Sequence, residues 1–208
     1  SADTRIVEET VACLRDSILV VIKSTVPPGT TEGLAQWRKS ALCFSPEYIG
    51  EGGYPVPWWG GVPHPTDMRL HEFHIFGGAV EATRQAVELW KPVAGAHARY
   101  LQTDATTAEL VKYATNAWIA SKITFCNELH DIAESFNVDY DALRELWLQD
   151  GRIGRSHTLV SKNRRGFDGK CIPKDTNALV AACRGVGMEP ELLTAILRVN
   201  ERMRGIYS

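Results

Sequence analysis

The spacing of hydrophobic positions changes along this chain, and each change marks an element. Between Thr4 and Arg15, Ile6, Val7, Val11 and Leu14 recur at helical intervals and predict an amphipathic helix. Ser17 to Ile22 is a short unbroken apolar run rich in β-branched residues, the pattern of a strand covered on both faces in a parallel sheet. Pro27, Pro28 and Gly29 break it, and Thr30 or Thr31 can cap a helix running through Trp37. Further strands are predicted at Ala41 to Phe44 and His74 to Phe76, with a helix from Ala79 to Trp90. Alternating strands and helices predict an α/β layer. Gly50 to Pro65, rich in glycine and proline and carrying Tyr54, Trp58 and Trp59, reads as a loop. Its aromatics either pin a surface insertion or help to cover a ligand.

From about Asp104 the pattern becomes helical throughout. Thr106-x-x-Glu109 has the form of a capping box, and no Gly or Pro interrupts the chain before Phe136, where Asn137 supplies a stop. Apolar residues fall on most sides of this stretch, from Leu110 and Val111 through Trp118, Phe125 and Ile132, so much of it is expected to be buried. A helix of about 30 residues is about 45 Å long, more than a small domain encloses alone. A partner subunit is the expected cover, giving a homodimer through this helix. Shorter helices are predicted at Asp139 to Leu148, Thr176 to Gly185 and Pro190 to Arg204. The fold class is thus α/β followed by all-α, with a boundary near residue 100.

Composition narrows the function classes. The 208 residues are 44% hydrophobic and 23% charged, with a formal net charge of -2, so the chain lacks the basic field that nucleic-acid binding needs. No apolar run reaches membrane-spanning length, and SADTRIVEET is not a signal peptide, so a cytoplasmic location and no membrane partner are expected. Five cysteines at 13, 43, 126, 171 and 183 form no CxxC or Cys/His pattern, which predicts reduced thiols and no metal site.

Three constellations carry candidate chemistry. In Gly166-Phe-Asp-Gly-Lys-Cys-Ile-Pro-Lys-Asp175, two glycines permit close backbone approach, Pro173 fixes the turn, and a helix from Thr176 brings its N-terminus near Cys171. Lys170 and Lys174 flank the thiol, which is expected to be partly thiolate near neutrality. Inert cysteines sit in apolar runs, as Cys126 and Cys183 do here; Cys171 does not. Lys112 and Asn116 lie one helical turn apart, either as an ion-pair partner of Glu109 or an aspartate and a satisfied core amide, or as donors to an oxygen that becomes negative during reaction. Glu47 leaves a strand end, where open α/β sheets place ligands, although a solvated loop acid is the plainer reading.

In order and at fitting separations, STVPPGT, SPEYIGEG, TAELVKYATNAWIASKITFCNEL, DGRIG and GFDGKCIPKD resemble the UDP-glucose/GDP-mannose dehydrogenase family over nearly the whole chain. The resemblance implies the second half of a Rossmann-like parallel-sheet domain over 1–100 and a helical central dimerisation domain over 101–208. It implies NAD-dependent, four-electron oxidation of the C6 alcohol of a nucleotide sugar to a carboxylate. Cys171 would be the nucleophile, Lys112 and Asn116 the oxyanion and orienting pair, and Glu47 the acid/base for thioester hydrolysis, with Asp175 and Thr25 positioning water. Substrate contacts would come from Tyr48, Ile49, Gly50, Glu51, Gly166, Phe167, Gly169 and Arg152, the last reaching the neighbouring subunit's substrate. Thr25, Glu47, Cys171 and Lys174 would face the cofactor. The family's G-x-G-x-x-G fingerprint is absent, so an excised core that binds NAD weakly or not at all is expected. Asp168 stands where the family usually has glycine and would oppose ionisation of the thiol, and Ser45 where asparagine is common. Competing readings are a two-electron hydroxyacid dehydrogenase, which has no use for the thiol, a cysteine hydrolase using His157, and a non-catalytic dimerising core.

Overall fold

The computed structural model describes residues 3–49 and 67–207, so the whole loop predicted from Gly50 to Pro65, with Gly50 and Glu51, lies outside the described residues. The elements follow in the order α1 (Arg5–Cys13), β1 (Val20–Ile22), α2 (Thr30–Trp37), β2 (Leu42–Phe44), a 3-10 turn (Met68–Leu70), β3 (Phe73–Gly78), α3 (Val80–Ala94), β4 (Arg99–Thr103), α4 (Ala105–Ser135), α5 (Tyr140–Trp147), α6 (Ile172–Gly185) and α7 (Glu191–Tyr207). They divide into two compact units, with the change after Ala114 inside α4. The first turns of α4 belong to the sheet unit because Ala108 is part of its core.

In the first unit the strands lie in the order β1-β2-β3-β4. β1 pairs with β2, and β3 with β4, in parallel; β2 and β3 pair antiparallel, which makes the sheet mostly rather than wholly parallel. An apolar run reads the same in either direction, so the sequence does not encode this reversal. The short strands are covered on both faces. Leu42 and Phe44 join Val11, Val20, Ile22, Leu34 and Ala108 on one side, while Cys43 joins Phe76, Ala82, Ala86 and Val87 on the other, as the two-residue alternation of a strand requires. β4 has no apolar run to announce it: its five residues are exposed or half-buried at the sheet edge.

Two caps in this unit come from distant side chains. The Arg38 guanidinium donates to the carbonyls of Val11 and Leu14 at the end of α1. Glu109, expected to close a capping box on its own helix, instead caps α2: its carboxylate accepts from Gly29 N at 2.6 Å, Thr31 N at 2.9 Å and Thr31 Oγ1 at 2.6 Å. Thr30 and Thr31 are therefore not the cap; Gly29 holds that place with φ 89°, and α4 is capped by Asp104, which accepts from Thr107 N at 2.7 Å. Gly77 permits the close approach of α4 to β3, since a Cβ there would lie 2.4 Å from Ala108 Cβ.

The second unit is helical. α4 is closed just beyond Ser135 by Asn137, whose φ of 55° is the left-handed conformation that ends a helix: Val138 N reaches Ala133 O and Asn137 N reaches Glu134 O. Cys126, Ala133 and Tyr140 form one small core, and Ala120, Phe167 and Ile196 another. The expected burial of α4 is only partial. Trp118, Phe125, Ile132 and Phe136 are all exposed.

Candidate functional site

In the first unit the chemistry gathers around the segment that leaves β2, from Ser45 to Ile49. Lys112 on α4 donates to the Glu47 carbonyl at 2.7 Å, and its Nζ lies 5.3 Å from the centre of the Tyr48 ring, itself packed on Phe73. The ion pair with Glu109 that the spacing suggested is not formed, because Glu109 is committed to α2. Lys23, which the sequence reading passed over, holds the same segment from β1: its Nζ donates to Ser45 Oγ at 3.3 Å and Pro46 O at 3.5 Å, and it lies 5.5 Å from the Trp90 ring. Burial pushes the Lys23 pKa down, the attraction of Glu47 opposes this, and the nearby Lys112 charge adds to it. The one sequence signal for Lys23 was a lysine directly after an apolar strand. Thr25, half-buried, lies in the loop between β1 and α2.

In the second unit α6 begins at Ile172, four residues before the predicted start, and Cys171 is itself the N-cap. Pro173 therefore lies in the first helical turn, where a missing N–H removes no bond, rather than in a preceding turn. A negative charge such as a thiolate is favoured at that helix end. Cys171 is half-buried and, like the other four cysteines, is in no disulfide. Cys43 and Cys126 are buried, and burial raises the pKa of each, that of Cys43 to about 12. Cys183 is only half-buried, so its apolar neighbours in sequence overstated its enclosure.

One turn into α6, Asp175 is 1% exposed. Asn116 Nδ2 donates to its Oδ2 at 2.5 Å, and Lys174 Nζ lies 2.7 Å from its Oδ1. Of the predicted residues, then, the structure pairs Asn116 and Lys174 with Asp175, and Lys112 with Glu47. The loop before Cys171 is shaped by packing. Gly166 has φ 71° and a Cβ there would lie 2.4 Å from Asn200 Oδ1. Phe167, expected at the substrate, is a core residue: its side chain is buried with Ala120 and Ile196, and its N–H and C=O both bond Asn200. Gly169 and Lys170 are exposed.

Asp168 does not stand as a bare charge beside the thiol, because Arg164 binds it at 2.7 Å and Arg204 at 3.2 Å. Burial works against its ionisation, and the two guanidinium groups outweigh burial and hold the carboxyl below its ordinary value. Arg152 is exposed and pairs with Asp150 at 2.5 Å. His157 Nδ1 is buried and bonds no described residue, so no thiol–imidazole pair forms through that nitrogen.

The dinucleotide implied by the motifs needs a helix N-terminus open to a diphosphate. At the α2 terminus after β1 that place is filled by the Glu109 carboxylate, and the space at Gly77 by Ala108.

Comparison with known proteins gives a consistent picture. Residues 106–202 match the central domain of the UDP-glucose/GDP-mannose dehydrogenase family. The chain is 35% identical over 201 residues to the UDP-glucose 6-dehydrogenase YwqF of Bacillus subtilis, covering 92% of this chain and 42% of that protein. Among solved structures, a UDP-glucose dehydrogenase from Pyrobaculum islandicum superposes with a TM-score of 0.80 at 34% identity, over 97% of this chain and 47% of the other. A UDP-D-ManNAc dehydrogenase from Pyrococcus horikoshii gives 0.78 at 26% identity, over 98% and 47%. The chain thus spans less than half the length of these relatives. No described helix is long and apolar enough to cross a membrane.

Proposed function

We propose that this chain, whose residues 106–202 match the central domain of the UDP-glucose/GDP-mannose dehydrogenase family, belongs to that family and that the protein it represents is a nucleotide-sugar 6-dehydrogenase. The reaction is oxidation of the C6 alcohol of a UDP-glucose-like or GDP-mannose-like sugar to the uronic acid, with NAD as acceptor of both electron pairs. The observation that carries the reading is Cys171 at the N-cap of α6, on the same helix as an Asp175 bound by Asn116.

The chain's residues supply nucleophile, orientation and proton handling. Once C6 is an aldehyde, the Cys171 thiolate adds to it; a C–S bond forms and the carbonyl π electrons move to oxygen. Asn116 has a second N–H beyond the one spent on Asp175, and Lys112 a cationic donor; both stabilise that oxyanion. After the second oxidation, water attacks the thioester and the C–S bond breaks, with Asp175 and Glu47 taking up the proton and Cys171 leaving as thiolate. Thr25 helps to position that water. Tyr48, Ile49 and the exposed Gly169 contact the substrate, Arg152 reaches that of a partner subunit, and Lys174 faces the cofactor.

The test uses the full-length enzyme and quantifies acid product against NADH. Wild type releases two NADH per acid, and Cys171→Ala loses acid formation by several orders of magnitude, the scale of removing a covalent nucleophile. The fold survives, with a stability change of at most about 1 kcal/mol for a substitution outside the core. A Cys171→Ala enzyme making acid at the wild-type rate returns the protein to the two-electron dehydrogenases.

A further inference from the structure

Near the end of α4, His130, Asp131 and Glu134 bring an imidazole nitrogen and two carboxylate oxygens within 4.8 Å of one another. The His130 side chain is 4% exposed and packs against Tyr140, with ring centres 5.4 Å apart. Its Nδ1 is buried and makes no hydrogen bond with any described residue. That nitrogen is aimed at the acids, 3.5 Å from Asp131 Oδ1 and 3.8 Å from Glu134 Oε2. Both distances exceed the roughly 2.7–3.2 Å of a hydrogen bond. They come close to the edge of a tetrahedron of donors around an ion with bonds of about 2.1 Å, which is roughly 3.4 Å.

We propose that His130, Asp131 and Glu134 form a binding site for one divalent transition-metal ion of the zinc or cobalt type. One imidazole with two carboxylates suits these ions better than magnesium or calcium, which prefer oxygen throughout. His130 and Glu134 are one helical turn apart, so the helix itself sets their separation. Asp131 is held by Arg165, which donates to its Oδ1 at 2.5 Å and is fixed in turn by Asn127 Oδ1 and O at 2.7 Å. Such an outer partner orients a ligating carboxylate. Lys162 Nζ, 3.9 Å from Glu134 Oε1, competes with the ion, but its side chain is 80% exposed and swings away.

The test titrates the intact chain with Zn2+ by calorimetry and with Co2+ by visible absorption at neutral pH. One ion binds per chain, and the Co2+ complex shows visible bands without an intense near-ultraviolet thiolate transition. His130→Ala abolishes binding. Because that variant opens a buried position, Glu134→Gln serves as the second: its side chain is 53% exposed, it melts at the wild-type temperature without metal, and it weakens binding by about tenfold or more. Absence of binding, a thiolate band, or an affinity that neither substitution changes overturns the site.

Discussion

Glu109 shows how much one side chain can decide. It is fully buried, yet both of its oxygens are occupied by the first N–H groups of α2 and a threonine hydroxyl. Burial raises its pKa, and the three hydrogen bonds pull the other way without overcoming it. A carboxyl whose folded pKa is raised contributes stability that is fully present below its ordinary pKa and is lost as pH rises through the folded one. Glu109→Gln removes that titration and turns a donor toward Gly29 N or Thr31 N. We expect the variant to be less stable by about 1–3 kcal/mol, the range for leaving buried donors unpaired. Urea unfolding of both proteins from neutral pH down to about 4 checks the sign: the gap widens on acidification, and an unchanged gap contradicts the assignment. The same residue explains why the nearby motif was misread. Thr106-x-x-Glu109 satisfies a capping box in sequence, but Asp104 takes the cap of α4 and frees Glu109 for a helix about 80 positions earlier.

At the level of elements, α4 is the helix whose extent the sequence shows best. It spans Ala105–Ser135 against a prediction of Asp104 to Phe136, because an uninterrupted run without Gly or Pro meets a residue that tolerates the left-handed conformation. Asn137 holds φ 55° in the closing turn. Asn137→Ala places an ordinary side chain in that conformation and is expected to cost about 1 kcal/mol, while Asn137→Gly is neutral or slightly stabilising. Thermal melts of the pair decide it; equal loss in both would show that the Asn side chain, not the backbone, matters. The start of α6 was less legible. Gly169, Cys171 and Pro173 look like loop residues in sequence, yet Pro173 occupies a first-turn position that prolines favour, so the helix begins at Ile172 and makes Cys171 its cap.

At the scale of the whole molecule, α4 leaves large apolar side chains exposed. Trp118, Phe125 and Ile132 recur every seven residues, followed by Phe136, and all four are exposed. A contiguous apolar stripe of this kind marks an association surface, and we propose a homodimer built on it. Light scattering of the chain is expected to report a dimer, and Trp118→Glu together with Ile132→Glu a monomer that keeps its helical circular dichroism. A wild-type monomer at high concentration contradicts the proposal.

What the sequence determined by itself was everything that local chemistry fixes. Apolar patterning, with breakers and caps, placed three of the described strands and the seven described α-helices, and the order of STVPPGT, SPEYIGEG and GFDGKCIPKD carried the resemblance to the family whose central-domain model matches residues 106–202. Cys171 stood out because glycines, lysines and a proline surround it within a few positions. Tertiary structure alone decided what depends on partners far apart in the chain. The edge strand β4 has no apolar signature and exists because β3 offers it a ladder. The reversal of β2 against β3 leaves no trace in a run of apolar residues. Phe167 is a core side chain because Asn200 binds its backbone on both sides, and Asn116 meets Asp175 from a position 59 residues away. A hydrogen bond is chosen by proximity in space, and only the packed chain brings such groups within 3 Å of one another.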